Sequence, residues 1–215
     1  MKTAVIVFPG SNCDRDLAES LEAVTGQQCI RVWHREPELP DVDFVGLPGG
    51  FSYGDYLRCG ALAATSPIIR DLKTKVAKGL PVIGICNGFQ ILCETGILPG
   101  MLMGNKHGRF VHRDETLKVE SVKGPFFERH MLGAKLDFSV AHHDGSYQAD
   151  EEILDKLEDQ GRIAFSYTNN PNGSARNIAG ILSANHKVLG LMPHPERHMG
   201  GDGKRFFEAA IGALS

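Results

Sequence analysis

At 215 residues the chain suits a single α/β domain with room for a full core. Its formal net charge of -3 and the absence of any Lys/Arg cluster argue against a nucleic-acid binder that works by bulk electrostatics. No segment approaches the roughly 20 apolar residues of a membrane helix. The N-terminal apolar run is also too short for a signal-peptide core, and Pro9-Gly10 ends it. Cys13, Cys29, Cys59, Cys86 and Cys93 are odd in number and lack metal-type pairing, so a cytoplasmic setting with reduced thiols fits.

The N-terminal half reads as alternating strands and helices. Ala4–Phe8 predicts a buried strand. A helix follows through Leu17, Ala18, Leu21 and Val24, capped by Asn12 or Asp14 and ended by Gly26. Cys29–Trp33 and Phe44–Leu47 predict two more strands, the second running into Pro48-Gly49-Gly50. Ile68 to Ala77 fits a helix stopped by Gly79, before a strand at Pro81–Ile85. Continuous apolar strands separated by helices imply a mostly parallel central sheet covered on both faces, a three-layer arrangement. In such sheets ligands sit at the carboxyl ends of the strands.

The second half is less regular. Leu117–Val122 and Leu136–Val140 predict strands, and Glu151–Asp159 an amphipathic helix opened by Asp150-Glu151-Glu152, where negative charge suits the N-terminus. Ile178–Leu182 and Val188–Met192 make a hairpin, a small antiparallel portion. A last helix, Lys204 to Leu214, places Phe206, Phe207, Ala210, Ile211 and Leu214 on one stripe. Nothing marks a second domain, so residues 1–215 are taken as one.

Three stretches carry chemistry. The first is Gly84-Ile85-Cys86-Asn87-Gly88-Phe89-Gln90, where a cysteine ends an apolar run between two glycines. A side chain on a sharp strand-to-helix turn needs small neighbours, and backbone N–H groups of the new helix favour an anion there. In isolation the pattern is more often a buried strand end. The second is Pro193-His194-Pro195-Glu196. The residue before proline is extended, and in an extended chain positions i and i+2 share a side, so Glu196 can orient His194. That is the base-plus-orienter half of a triad, although a charged Pro-rich turn is the commoner meaning of such a stretch alone. The third is Pro48-Gly49-Gly50, whose bare N–H groups can form one side of an oxyanion hole with the Asn87 N–H as the other. A phosphate loop is disfavoured, because G-x-x-x-x-G-K-[ST] and any nearby lysine are missing.

Together these residues resemble the class I glutamine amidotransferases: Gly84 to Gln90 matches their G-x-C-x-G-x-Q and Pro193 to Glu196 their H-P-E ending. Longer stretches, among them Pro9 to Asp16, Pro48 to Arg58, Asn170 to Ser174 and Gly190 to Arg197, are similar to one branch of that family. It comprises the small glutaminase subunits of phosphoribosylformylglycinamidine synthase, and the likeness runs from residue 9 to 197.

The resemblance implies a flavodoxin-like amidotransferase fold and a Cys86, His194, Glu196 triad acting through a glutamyl thioester. It implies that Gly49, Gly50 and Asn87 hold the oxyanion, and that Gln90 and the segment around His142 hold glutamine. It implies no cofactor and no metal in this chain. ATP and magnesium would belong to a large synthase subunit that receives the ammonia for purine synthesis, and a small third subunit would bridge the two.

Ala141-His142-His143-Asp144-Gly145-Ser146-Tyr147 stands where the family more usually reads A-H-G-E-G-R-Y, and Cys59 replaces a small residue or proline. Four histidines, His142, His143, His186 and His198, lack metal-ligand spacing. Ser11-Asn12-Cys13-Asp14 reads as a helix cap or a partner-facing loop, and Trp33 as a packing residue. Two other classes stay open: a cysteine hydrolase acting on another acyl group, and a non-catalytic regulatory member. Intact Cys86, His194 and Glu196 weigh against the second.

Overall fold

A computed structural model of the chain describes residues 1–52 and 59–213, apart from the side chains at 59 and 61. The stretch Tyr53 to Arg58, the Cys59 side chain and Leu214 therefore lie outside the described residues. The chain runs β1 (Thr3–Val7), α1 (Asp14–Thr25), β2 (Ile30–Trp33), β3 (Phe44–Leu47), α2 (Cys59–Ala64), α3 (Pro67–Ala77), β4 (Val82–Ile85) and α4 (Asn87–Glu94). It continues through β5 (Met101–Met103), β6 (Val111–Val119), β7 (Lys135–His142), β8 (Ser146–Gln148), α5 (Glu151–Asp159), β9 (Ile163–Tyr167), β10 (Ile178–Leu182), β11 (Val188–Leu191) and α6 (Asp202–Gly212).

Among the described residues one nine-stranded sheet has the order β2-β1-β3-β4-β11-β10-β9-β6-β7, and β5 pairs with β8 in a separate two-stranded sheet. The first five strands run parallel, and the rest continue the sheet antiparallel. Glycines show which helix covers which face. Leu47, Gly84 and Gly190 are register partners across β3, β4 and β11, so their side chains share a face. A Cβ on Gly84 would press on the Gly88 carbonyl at 2.8 Å, and one on Gly190 on the Phe89 ring, so α4 lies on that face. Gly46, the next position along β3, points the other way, where a Cβ would meet Leu17 Cδ2 of α1 at 2.7 Å. The α1 and α4 helices thus cover opposite faces, which is the expected three-layer architecture.

The elements follow from local chemistry. Helix α1 buries Leu17, Ala18 and Leu21 on one stripe and ends at Gly26, whose φ of 67° is left-handed. The predicted Asn12 or Asp14 cap is not formed: the N-cap residue is Cys13, and it makes no side-chain cap bond. The hairpin β10–β11 pairs Leu182 with Leu189 as expected. Phe127, Phe138, Phe165 and Phe206 meet edge to face or, for Phe127 and Phe206, tilted, with centroids 5.2 to 6.1 Å apart, and fasten α6 to the antiparallel half.

Other expectations are corrected. The strand read at Leu117–Val122 is Val111–Val119, because pairing with β7 draws the polar run His112 to Thr116 into the ladder. The final helix starts at Asp202 and ends at Gly212. Trp33 is 43% exposed on the edge strand β2 and packs edge-on against His34, with ring centroids 4.7 Å apart. Helix α2 and strands β5, β8 and β9 had no reading, being too short for a clear period. No helix among the described residues is long and apolar enough to cross a membrane.

Candidate active site

Adjacent parallel strands deliver the three motifs to one edge. Strand β3 runs into Pro48-Gly49-Gly50, β4 into Cys86, and β11 through Met192-Pro193 into His194, and the three lie side by side in the order β3-β4-β11. Cys86 occupies the N-cap position of α4 with φ 50° and ψ -106°, an unusual conformation for a residue with a side chain. The glycines around it are required by space. A Cβ on Gly88 would collide with the Leu47 carbonyl group, and Gly84 has the Gly88 backbone above it. The Cys86 N–H donates to the Leu191 carbonyl at 2.8 Å, tying the turn to the strand that leads to His194.

His194 is extended, with φ -107° and ψ 84°, and its N–H donates to the Ser139 carbonyl of β7 at 2.8 Å. As the spacing predicted, Glu196 returns on the same side: its Oε1 lies 2.6 Å from His194 Nδ1. The side chains are 1% and 0% exposed. Burial by itself would disfavour the imidazolium. The neighbouring Glu196 carboxylate, with Cys86 and Cys13, outweighs it and holds the His194 pKa well above its ordinary value. Gly49 stands against the pair; a Cβ there would lie 2.6 Å from His194 Cε1 and 3.2 Å from Cys86 Cβ. A cavity of about 250 Å³ opens over these groups, lined among others by Gly50, Cys86, Gln90, His142 and His194. Its size and position suit a small polar substrate whose acyl carbon can reach Cys86.

The chain matches the CobB/CobQ-like glutamine amidotransferase domain over residues 1–208. It belongs to that family. The phosphoribosylformylglycinamidine synthase subunit PurQ of Roseobacter denitrificans is 52% identical, with 100% of this chain and 99% of the relative covered. The subunit of the same name from Jannaschia sp. is 54% identical, with coverage of 100% and 99%. Among solved structures, a chain of PurLQS from Thermotoga maritima superposes with a TM-score of 0.87 at 38% identity, covering 100% of this chain and 99% of that one.

In this amidotransferase the remaining predicted residues fall into two groups. Gly50 and Gln90 line the cavity directly, and Asn87 begins α4 immediately after Cys86. The Asn87 Nδ2 donates to Gln90 Oε1 at 2.8 Å, and Gln90 Nε2 donates to the Asp144 carbonyl at 2.8 Å. Gln90 therefore also ties α4 to the turn after β7, a link the sequence reading missed.

His142 lines the cavity at 4% exposure. Burial, then repulsion from His194, lowers its pKa to about 4, so it is neutral. Asn105 sets its tautomer: Nδ2 of that residue donates to the Arg109 and His142 carbonyls, leaving Oδ1 to accept from His142 Nδ1 at 3.1 Å. His142 Nε2 is then an acceptor, buried and without a hydrogen-bond partner among the described residues.

Of the departures from the family pattern, His143 lines the cavity and pairs through Nδ1 with Asp144 Oδ1 at 2.6 Å. Ser146 is buried and accepts from Gln148 instead. His186 and His198 lie away from the cavity, and His198 Nε2 pairs with Asp114 at 3.1 Å. The amidotransferase also uses Asn105, which no motif flagged, since its role depends on contacts 37 to 40 residues away.

Proposed function

We infer that this chain is the glutaminase subunit of a phosphoribosylformylglycinamidine synthase. It hydrolyses glutamine and supplies the ammonia with which a large partner subunit, spending ATP, converts formylglycinamide ribonucleotide to formylglycinamidine ribonucleotide. The observation that carries the chemistry is the meeting of Cys86 with the bonded His194–Glu196 pair at one sheet edge. Full-length similarity to PurQ subunits supports the choice of synthase, and the likeness to PurLQS supports assembly with a large synthase subunit and a small bridging subunit.

The geometry supports the following steps. The Cys86 thiolate attacks the side-chain carboxamide carbon of glutamine, and the Gly50 and Asn87 N–H groups are assigned to the developing oxyanion; Gly49 leaves free the space beside His194 and Cys86 that a Cβ would take. One such donor is typically worth about 2.7–4 kcal/mol of barrier. His194, held as imidazolium by Glu196, protonates the departing ammonia. The neutral imidazole then takes a proton from water, the hydroxide attacks the thioester, and glutamate leaves as Cys86 is restored. Gln90 and the acceptor Nε2 of His142 orient the substrate. This reading gives the chain one amidotransferase domain, no cofactor and no metal, assigns ATP and magnesium to the partner, and sets the reaction in the cytoplasm.

Replacement of Cys86 tests it. Cys86→Ala in the assembled synthase is expected to abolish glutamine-dependent synthesis while ammonium salts still support it, and a glutamine-shaped diazo-ketone should label wild type only at Cys86. Loss of both activities would make Cys86 structural, and failure of labelling would return the site to another acyl substrate.

A further inference from the structure

Behind the catalytic pair lies a thiol that the mechanism above does not use. Cys13 is 1% exposed at the start of α1, yet its side chain caps nothing. Its Sγ instead joins a ring nitrogen of His194 and a carboxylate oxygen of Glu196 in a cluster whose atoms all lie within 4.8 Å of one another. Arg197, at the cavity rim, donates from Nη2 to Cys13 Sγ at 3.0 Å. The same loop backs the glycines of the oxyanion side: the Phe51 N–H donates to the Gly10 carbonyl at 3.1 Å, and a Cβ on Gly50 would lie 2.6 Å from the Asn12 nitrogen. Residues 10–13 thus touch both halves of the site through the buried Ser11 and Cys13 side, while Gly10 and Asn12 are exposed.

A buried cysteine, histidine and carboxylate at this spacing are a donor set that thiophilic cations favour. Two observations disfavour a cation here. The Arg197 guanidinium already occupies the sulfur with positive charge, and His194 Nδ1 is committed to Glu196. The arrangement suits a different task. A polarisable sulfur beside both Arg197 and His194 is attractive to the positive charge on each, and it lies against the Glu196 side of the pair, whose Oε2 has no hydrogen-bond partner among the described residues.

We propose that Cys13 is a positioning residue of the glutaminase reaction, which with Arg197 holds the His194–Glu196 pair in its charged, aligned state. The proposal rests on the glutaminase reading above. The groups facing His194 are Glu196 on its own turn, Cys86 at the head of α4, Cys13 at the head of α1 and neutral His142 at the end of β7; Asp16 faces Arg197. Glu196 and Cys86 supply more of the support for the imidazolium than Cys13 does, so removing the thiol weakens the pair without abolishing it.

The test uses the assembled synthase with Cys13→Ala and Cys13→Ser. Cys13→Ala is expected to lower the glutamine-dependent kcat about tenfold, the worth of one hydrogen bond to a charged group, with KM for glutamine little changed. The alkaline limb of kcat/KM, where His194 loses its proton, should move to lower pH by about half a unit. Cys13→Ser, whose Oγ still accepts from Arg197, should recover most of both. Ammonium-dependent synthesis should be unaffected. A wild-type kcat and pH profile in Cys13→Ala would overturn the proposal, as would a loss that leaves the profile unshifted and that serine does not repair. A wild-type complex that uses ammonium but not glutamine would overturn the glutaminase reading itself.

Discussion

Cys86 carries a backbone conformation that side-chain-bearing residues rarely adopt, and the surrounding packing holds it there. Such strain, of order 1–3 kcal/mol, persists only where tertiary contacts over-determine it. His142 shows the converse, an ordinary backbone with a perturbed charge. Its pKa near 4 in the fold, against an ordinary 6.5, means that between those values the unfolded chain binds a proton that the native state refuses. Stability should therefore fall as pH drops from 6.5 to 4, with His142 contributing roughly 3 kcal/mol of the loss. His194 is shifted upward, so its contribution is fully present below pH 6.5 and fades only as pH rises through its folded value. Denaturant unfolding across this window should show a flatter slope for His142→Gln than for wild type. His34 and His186, also lowered by burial, leave a residual slope. An unchanged slope would mean that His142 is not held neutral.

At the scale of elements, the seating of α4 on the sheet aims Cys86, the proposed nucleophile. Gly84 and Gly190, register partners on neighbouring strands, let the helix approach closely enough for Phe89 and Leu92 to pack without a gap. A methyl at 190 would press on the Phe89 ring and lie 2.6 Å from Leu98 Cδ1. Gly190→Ala should cost about 1–3 kcal/mol by overpacking. Because α4 starts at the residue after Cys86, the same push should slow alkylation of that thiol. Thermal melting and the labelling rate read the two effects separately; a variant with wild-type values in both would show that α4 adjusts freely.

At the scale of the whole molecule, the parallel half of the sheet presents the chemistry and the antiparallel half braces it. Strand β7 delivers His142 to the cavity and holds the His194 backbone through Ser139. The cavity lining includes Phe51 and Phe110, which are 46% and 49% exposed. The isolated chain is expected to hydrolyse glutamine weakly, with activity rising when the synthase subunit and its ligands are added. Full activity without the partner would rule out gating by assembly.

Much of this was legible in the residues alone. Apolar runs, glycine stops and the G-x-C-x-G and P-H-P-E spacings depend on neighbours a few positions away, so the strand-to-helix turn at Cys86 and the His194–Glu196 pairing could be read locally. The extent of β6, the Gln90 link to Asp144, the neutral state of His142 and the place of Cys13 could not. Each arises from groups brought together across tens or hundreds of residues: Cys13 meets Arg197 at a separation of 184. The sequence by itself determined which residues are candidates for the chemistry and which turns present them. Tertiary structure alone decided their charge states and supports, because burial and proximity belong to the strand order β3-β4-β11 and the helices packed on it.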